Sequence, residues 1–254
     1  MSGFWMSLRT LLFPPRCAAC GKLLDYYRHR KTDALCAACL RQWENEEQET
    51  CGICIKPITQ CRCLTEEMRK AKCDAFCKLL YYRHGSADAV QNRVIFHIKR
   101  MRDLETPCFL AERLLPALLA MKQESQADME HCVITFCPRS ERARLESGTD
   151  QAKELALALS RASGIPMKAL IRRTRGSTKQ QKQLSARERI QNAQQSFCLS
   201  HRASVMGKTV FLVDDIVTTG AGMAACTRLL RDAGAKQVYC IAAASDDTNR
   251  DRIK

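Results

Sequence analysis

No stretch of this 254-residue chain approaches the roughly 18 consecutive apolar residues that a membrane span needs. Its most apolar opening, "MSGFWMSLRTLLFPP", is interrupted by Arg9 and stopped by Pro14-Pro15. It lacks the basic start and long apolar core of a secretory leader. It reads as a short helix packed on the body of a cytoplasmic protein. Histidines are few, and His29, His84, His97, His131 and His201 show neither HxxxH nor HxH spacing; all five read as non-catalytic. No GxSxG or Walker sequence is present, so hydrolase and motor chemistry have no support. No cysteine follows the initiating methionine, and no glutamine amidotransferase half is visible.

What is present suits a soluble globular protein. Apolar residues make up 46% and charged residues 27% of a chain long enough for one well-cored domain plus a smaller attachment. The net charge of +14 is uneven: residues 1–75 carry +3, 76–140 carry +2, 141–209 carry +9 and 210–254 carry zero. The segment holding the excess should face something anionic, unless it is a solvated basic face.

Three regions follow one another. Residues 1–75 hold paired cysteines and short polar connectors. Residues 76–130 read as a strand, "AFCKLLYY", then helices from about Ala87 to Arg102 and from about Pro107 to Lys122. From residue 131 strands and helices alternate: "CVITFC", "DQAKELALALSRA" ended by Gly164, "FLVDD", "GAGMAACTRLLRDAG" closed by Gly234, and "KQVYCIAAA". Such alternation predicts an α/β fold with a mainly parallel sheet. In these sheets ligands sit at the carboxyl ends of strands, in the loops that open the next helix.

"VFLVDDIVTTGAG", from Val210 to Gly222, is in that position. Four apolar residues predict a strand buried on both faces. Asp214 and Asp215 follow, able to accept hydrogen bonds from vicinal ribose hydroxyls or to help hold a hydrated divalent cation. Thr218, Thr219, Gly220, Ala221 and Gly222 lead into a helix whose unpaired N–H groups and positive dipole end suit a monoester phosphate. The bland alternative is an Asp-rich turn with a threonine cap.

Ten of the 16 cysteines precede residue 78, and six of those form three CxxC pairs. In a chain without a secretory leader that pattern favours metal over disulfides. Cys17, Cys20, Cys36 and Cys39 form CxxC, fifteen residues, CxxC, which matches a closed, structural four-thiolate zinc site. Cys51, Cys54, Cys61 and Cys63 offer a second set. Its CxC half is tighter than zinc usually takes, so a second zinc and exchange of pairs between sites both stay open. Cys108, Cys132, Cys137, Cys198, Cys226 and Cys240 read as small core residues.

The Val210–Gly222 stretch resembles the phosphoribosyl pyrophosphate (PRPP) signature of type I phosphoribosyltransferases. A cysteine ribbon ahead of such a domain resembles the ComF family of competence-associated proteins. The resemblance runs through "LLFPPRCAAC", through "YYRHGSADAVQNRVIFHIKR" with Lys99 in the family's lysine position, and through Arg173, Thr178, Gln181, Leu184, Arg189, Asn192 and Phe197. It implies a zinc-binding domain over 1–75 and a phosphoribosyltransferase-like domain over 76–254. It implies PRPP with Mg²⁺ at Asp214, Asp215 and the Thr218–Gly222 loop, with Lys99 joining the two aspartates in catalysis. It also implies single-stranded DNA as a ligand in natural transformation, with a competence helicase or an uptake-channel protein as partner. Two alternatives are an active phosphoribosyltransferase on a small acceptor and an adaptor with an inert nucleotide site. The chain departs from the family in its first loop. Pro138, Ser140, Gly148 and Gln151 keep the pattern there, but Ser147, Thr149 and Asp150 replace an Arg, a Phe and an Asn. Arg139, Arg142 or Arg144 are candidates to replace the lost phosphate partner.

Between Lys168 and Arg189 lie eight basic residues and one acid. The stretch is short of apolar residues and reads as a mobile loop. Arg172, Arg173, Arg175, Lys179, Lys182, Arg187 and Arg189 are the candidates for following a nucleic-acid backbone. Closure over pyrophosphate, or plain solvation, are the competing readings. The loop has no aromatic residue, so stacking on bases must come from elsewhere.

Overall fold

Val210, Phe211, Leu212 and Val213 are all fully buried because the strand that holds them divides the core in two. Phe211 and Val213 face one apolar cluster, while Val210 and Leu212 face the other, as the two-residue period of a strand requires. We analysed a computed structural model, which describes residues 14–25, 33–100, 105–139, 145, 148–174, 196–200 and 204–246. The expected amino-terminal helix lies outside these residues.

The sheet is built from β1 (Ala75–Tyr82), β2 (Cys132–Phe136), β5 (Thr209–Val217) and β6 (Gln237–Asp246). All four strands run parallel in the order β1-β6-β5-β2. The predicted parallel α/β fold is therefore present. A separate antiparallel pair, β3 (Ile171–Arg173) and β4 (Phe197–Leu199), stands beside it. β5 runs past the two aspartates to Val217, whose partner on β6 is Ser245. The acids thus sit inside the second half of the strand rather than beyond its end.

The helices are α1 (Ala37–Glu47), α2 (Glu66–Lys70), α3 (Val90–Arg100), α4 (Glu105–Ser125), α5 (Gln151–Ser163) and α6 (Ala221–Asp232). α4 and α5 supply Leu110, Leu114, Leu118, Leu155 and Leu159 to one face of the sheet. α6, α2 and the β3–β4 pair cover the other with Met223, Leu230, Met68 and Phe197. Local signals set several ends. Asp150 caps α5 by accepting from Lys153 N at 3.4 Å, and Gly164 ends that helix at φ +75°.

The cysteine region joins the first core. Cys17, Cys39 and Trp43 belong to the same buried cluster as Leu79 and Leu114. Trp43 is fully buried, meets Phe109 edge-on at 5.2 Å, and donates from Nε1 to Glu47 at 2.7 Å. Arg113 on α4 donates to the same carboxylate at 2.8 Å. One glutamate thereby ties α1 to α4.

Candidate functional site

Past Val217 the chain makes its turn through Thr218, Thr219 and Gly220 before α6 begins. Gly220 has φ +80°, a conformation that costs any other residue energy. A side chain there would also collide with Thr65, the residue capping α2. Thr219 Oγ1 accepts from Ala221 N at 3.3 Å and secures the turn. The N–H groups of α6's first turn have no partner within the helix and point outward at its positive end.

This turn opens onto a cavity of about 360 Å³. Ile216–Met223 form one wall and Asp214 lies in its floor. Cys137–Arg139 form a second wall, held in place by the bond from Cys137 N to Val213 O at 2.9 Å. The β3–β4 pair contributes Arg173 and Phe197.

The cavity wall carries Asp214 with Arg139 and Arg173, and the Asp215 and Asp150 carboxylates lie near enough to Asp214 to act on it. Burial, then the neighbouring Asp215 carboxylate, raises Asp214 well above the usual carboxylate range. Asp214 accepts from Asp215 N, and Asp215 accepts from Ile216 N, both at 2.9 Å. Asp150 is raised too, by burial, although Arg139 N and Lys153 N donate to it. Asp214 and Asp215 are adjacent hard oxygen donors, the ligand type that a hydrated divalent cation such as Mg²⁺ takes. Arg173 is partly enclosed, and burial lowers its pKa. Its guanidinium lies 5.0 Å over the Phe197 ring, and its Nε has no hydrogen-bond partner among the described residues.

The structure brings Asp214, Thr218, Thr219, Gly220, Ala221 and Gly222 together at this cavity. Asp215 is adjacent in β5. Lys99 falls in the last turn of α3, with its side chain outside the described set. Among the first-loop arginines, Arg139 donates to Gln151, whose Nε2 reaches Thr149 Oγ1 at 2.9 Å and Ile98 O at 3.4 Å. Arg142, Arg144 and Ser147 lie outside the described residues. The nucleic-acid candidates divide: Arg172 is exposed, whereas Arg173 faces the cavity. Arg175, Lys179, Lys182, Arg187 and Arg189 lie outside the described residues. Sequence reasoning missed that Asp150 lies close to Asp214 and that Arg173 with Phe197 forms a cavity wall. The family order of Arg173 and Phe197 was the available signal, but not which way each side chain turns.

The cysteines form two sets. The sulfurs of Cys17, Cys20, Cys36 and Cys39 lie within 4.8 Å of one another, and so do those of Cys51, Cys54, Cys61 and Cys63. No pairs are exchanged between them. Each set is built on the same knuckle: Cys17 N donates to Lys22 O and Gly21 N to Cys17 O, while Cys51 N donates to Lys56 O and Ile55 N to Cys51 O. Burial opposes the Cys51 thiolate, but the N–H groups of Cys54 and Ile53 together with the Cys61 and Tyr81 side chains outweigh it and bring the group down to about 6. Opposing influences of the same kind leave Cys36 at about 7. Four converging thiols, one of them lowered in each set, fit a tetrahedral zinc.

Residues 146–254 match the family described as "Phosphoribosyl transferase domain". A Haemophilus influenzae protein named Competence protein F is 27% identical over 227 residues, covering 88% of this chain and 82% of that protein. Among solved structures, the phosphoribosylpyrophosphate synthetase of Mycobacterium smegmatis aligns at 22% identity and a TM-score of 0.31, covering 50% of this chain and 32% of that one. The purine phosphoribosyltransferase of Pyrococcus horikoshii Ot3 aligns at 18% identity and a TM-score of 0.33, covering 54% and 74%. No helix among the described residues is long and apolar enough to cross a membrane. The chain thus carries a phosphoribosyl transferase domain over residues 146–254 and is similar, over 88% of its length, to a competence protein.

Proposed function

We propose that the chain binds PRPP with Mg²⁺ at the carboxyl end of β5, and that it serves DNA uptake by contacting single-stranded DNA. The observation that carries the reading is the convergence of Asp214, the Thr218–Gly222 turn and α6's amino terminus on one cavity. The turn and the first helical N–H groups take the 5′-phosphate. Asp214 and Asp215 take the ribose hydroxyls and orient the hydrated cation, and Lys99 on α3 joins them. Mg²⁺ would supply neutralising charge for the diphosphate. Residues 1–75 act as a zinc-stabilised module and residues 76–254 as the nucleotide-binding unit. The protein works in the cytoplasm, alongside a competence helicase or an uptake-channel protein. Arg172, Arg175, Lys179, Lys182, Arg187 and Arg189 follow the DNA backbone, a contact that weakens steeply with salt.

A second reading, catalytic transfer, is favoured by Arg173 Nε, which has no hydrogen-bond partner among the described residues, in the same cavity. An acceptor nucleophile would bond to the anomeric carbon as the bond to pyrophosphate breaks, the electron pair leaving with pyrophosphate. Arg173 would stabilise that departing charge.

Calorimetric titration of PRPP and Mg²⁺ into zinc-loaded protein tests the first reading, with Asp214→Ala/Asp215→Ala as control. Binding that the double variant loses supports it, and no binding by the unmutated protein removes it. Pyrophosphate release in the presence of candidate acceptors separates the enzyme from the binder.

A further inference from the structure

β1 carries a lysine in a run that is otherwise apolar. Lys78 is 5% exposed, between Cys77 at 0% and Leu79 at 1%. Burying an ammonium is costly unless an anion accompanies it. Among the described residues no carboxylate forms an ion pair with Lys78. Its Nζ instead donates to Cys61 Sγ at 3.4 Å. The same nitrogen lies 5.0 Å from the centre of the Phe76 ring and 5.7 Å from that of Tyr81. Aromatic faces favour a cation but do not neutralise it. The neutralising partner available here is sulfur.

We propose that Lys78 is the charge-balancing outer partner of a second metal centre formed by Cys51, Cys54, Cys61 and Cys63. The inference rests on these thiols taking zinc. Four thiols that give up their protons to one Zn²⁺ leave a net charge of −2, which is expensive in a site packed against Tyr81 and Ile58. An ammonium hydrogen-bonded to one of the four sulfurs halves that charge and orients the ligand. Cys63 N donates to the same Cys61 sulfur at 3.4 Å, so Cys61 receives two donors at once. The tight CxC half of the set is thus supported from both sides. The first set is arranged differently: Cys20 is exposed, and the groups donating to Cys36 are Cys39 and its fellow thiols. The two centres therefore share a backbone knuckle but not a charge environment. The second holds its metal through an element of the sheet.

The test uses full-length protein and compares Lys78→Met, Lys78→Gln and Lys78→Arg. Zinc content is counted by mass spectrometry under native conditions, and zinc release to a chromogenic chelator is timed. The unmutated protein should hold two zinc ions. Lys78→Met and Lys78→Gln should release one of the two on the order of 10- to 100-fold faster, while the other, removed by Cys36→Ser, keeps its rate. Lys78→Arg should restore most of the loss, which a mere packing defect would not allow. Cobalt substitution gives a second readout, the thiolate-to-metal absorption of the second site weakening in Lys78→Gln and returning in Lys78→Arg. Two zinc ions with unchanged release in both uncharged variants would overturn the role of Lys78 alone. A single zinc, indifferent to Cys61→Ser, would overturn the second centre itself.

Discussion

Thr65 occupies the space into which a side chain at Gly220 would project, so the residue that caps α2 also braces the Thr218–Gly222 turn. Gly220→Ala should lower PRPP affinity by at least about tenfold and cost about 1–2 kcal/mol of stability from its positive φ alone. Thr65→Ala loses only the cap, about 1 kcal/mol. A double-mutant cycle read by calorimetry and thermal melting should show Thr65→Ala recovering part of the Gly220→Ala loss. Strictly additive losses would show that the two residues do not press on each other.

Arg172 and Arg173 are neighbours on β3 with opposite fates. Arg172→Gln should leave PRPP binding intact and reduce the salt slope of single-stranded DNA binding by about one. Arg173→Gln should weaken PRPP binding and leave that slope nearly unchanged. Fluorescence anisotropy across a salt series, paired with calorimetry, checks both. If the two effects are reversed, the assignment of the two faces is wrong.

Asp214 is held above its unfolded value by burial and by Asp215. The folded state therefore keeps that proton more tightly than the unfolded chain does. This favours folding at pH below the unfolded value of about 3.9, and the advantage is lost as pH rises through the folded value. At neutral pH, Asp214→Asn should raise the melting temperature of the ligand-free protein, by about 2–4 °C for each kcal/mol relieved. It should also abolish PRPP binding. A variant less stable than the unmutated protein at neutral pH, yet more stable at pH 4, would contradict the sign.

Ile55 holds φ +58° at the position where the first knuckle has Gly21 at φ +73°. A β-branched residue there is strained, and Ile55 is 73% exposed, so it loses little by replacement. Ile55→Gly should stabilise the protein by up to about 1 kcal/mol with zinc content unchanged. Gly21→Ile should do the opposite. Thermal melts of both variants decide it.

How legible all this is in the sequence depends on the range of the forces involved. β1, β2, β6 and the β5–turn–α6 unit can be read directly, because long apolar runs ended by glycine or acid leave few alternatives. The two cysteine sets are readable too, since CxxC spacing is local chemistry. The end of β5 is not: Asp214 and Asp215 look like a strand terminus, but pairing of Val217 with Ser245 keeps the strand going. The family order singles out Arg173, but only the folded β3–β4 pair shows that it, and not Arg172, reaches the cavity. Lys78 is one charge in an apolar strand, and its meaning depends on a sulfur 17 residues away.

Trp43, Cys17 and Cys39 are buried in the same cluster as the strands and helices of the sheet's first face. The cysteine region and the sheet it packs against are therefore expected to melt as one body rather than as bead and string. Stripping metal is then expected to act on the whole chain as a denaturant does. Metal supply would then govern how long the protein survives proteases.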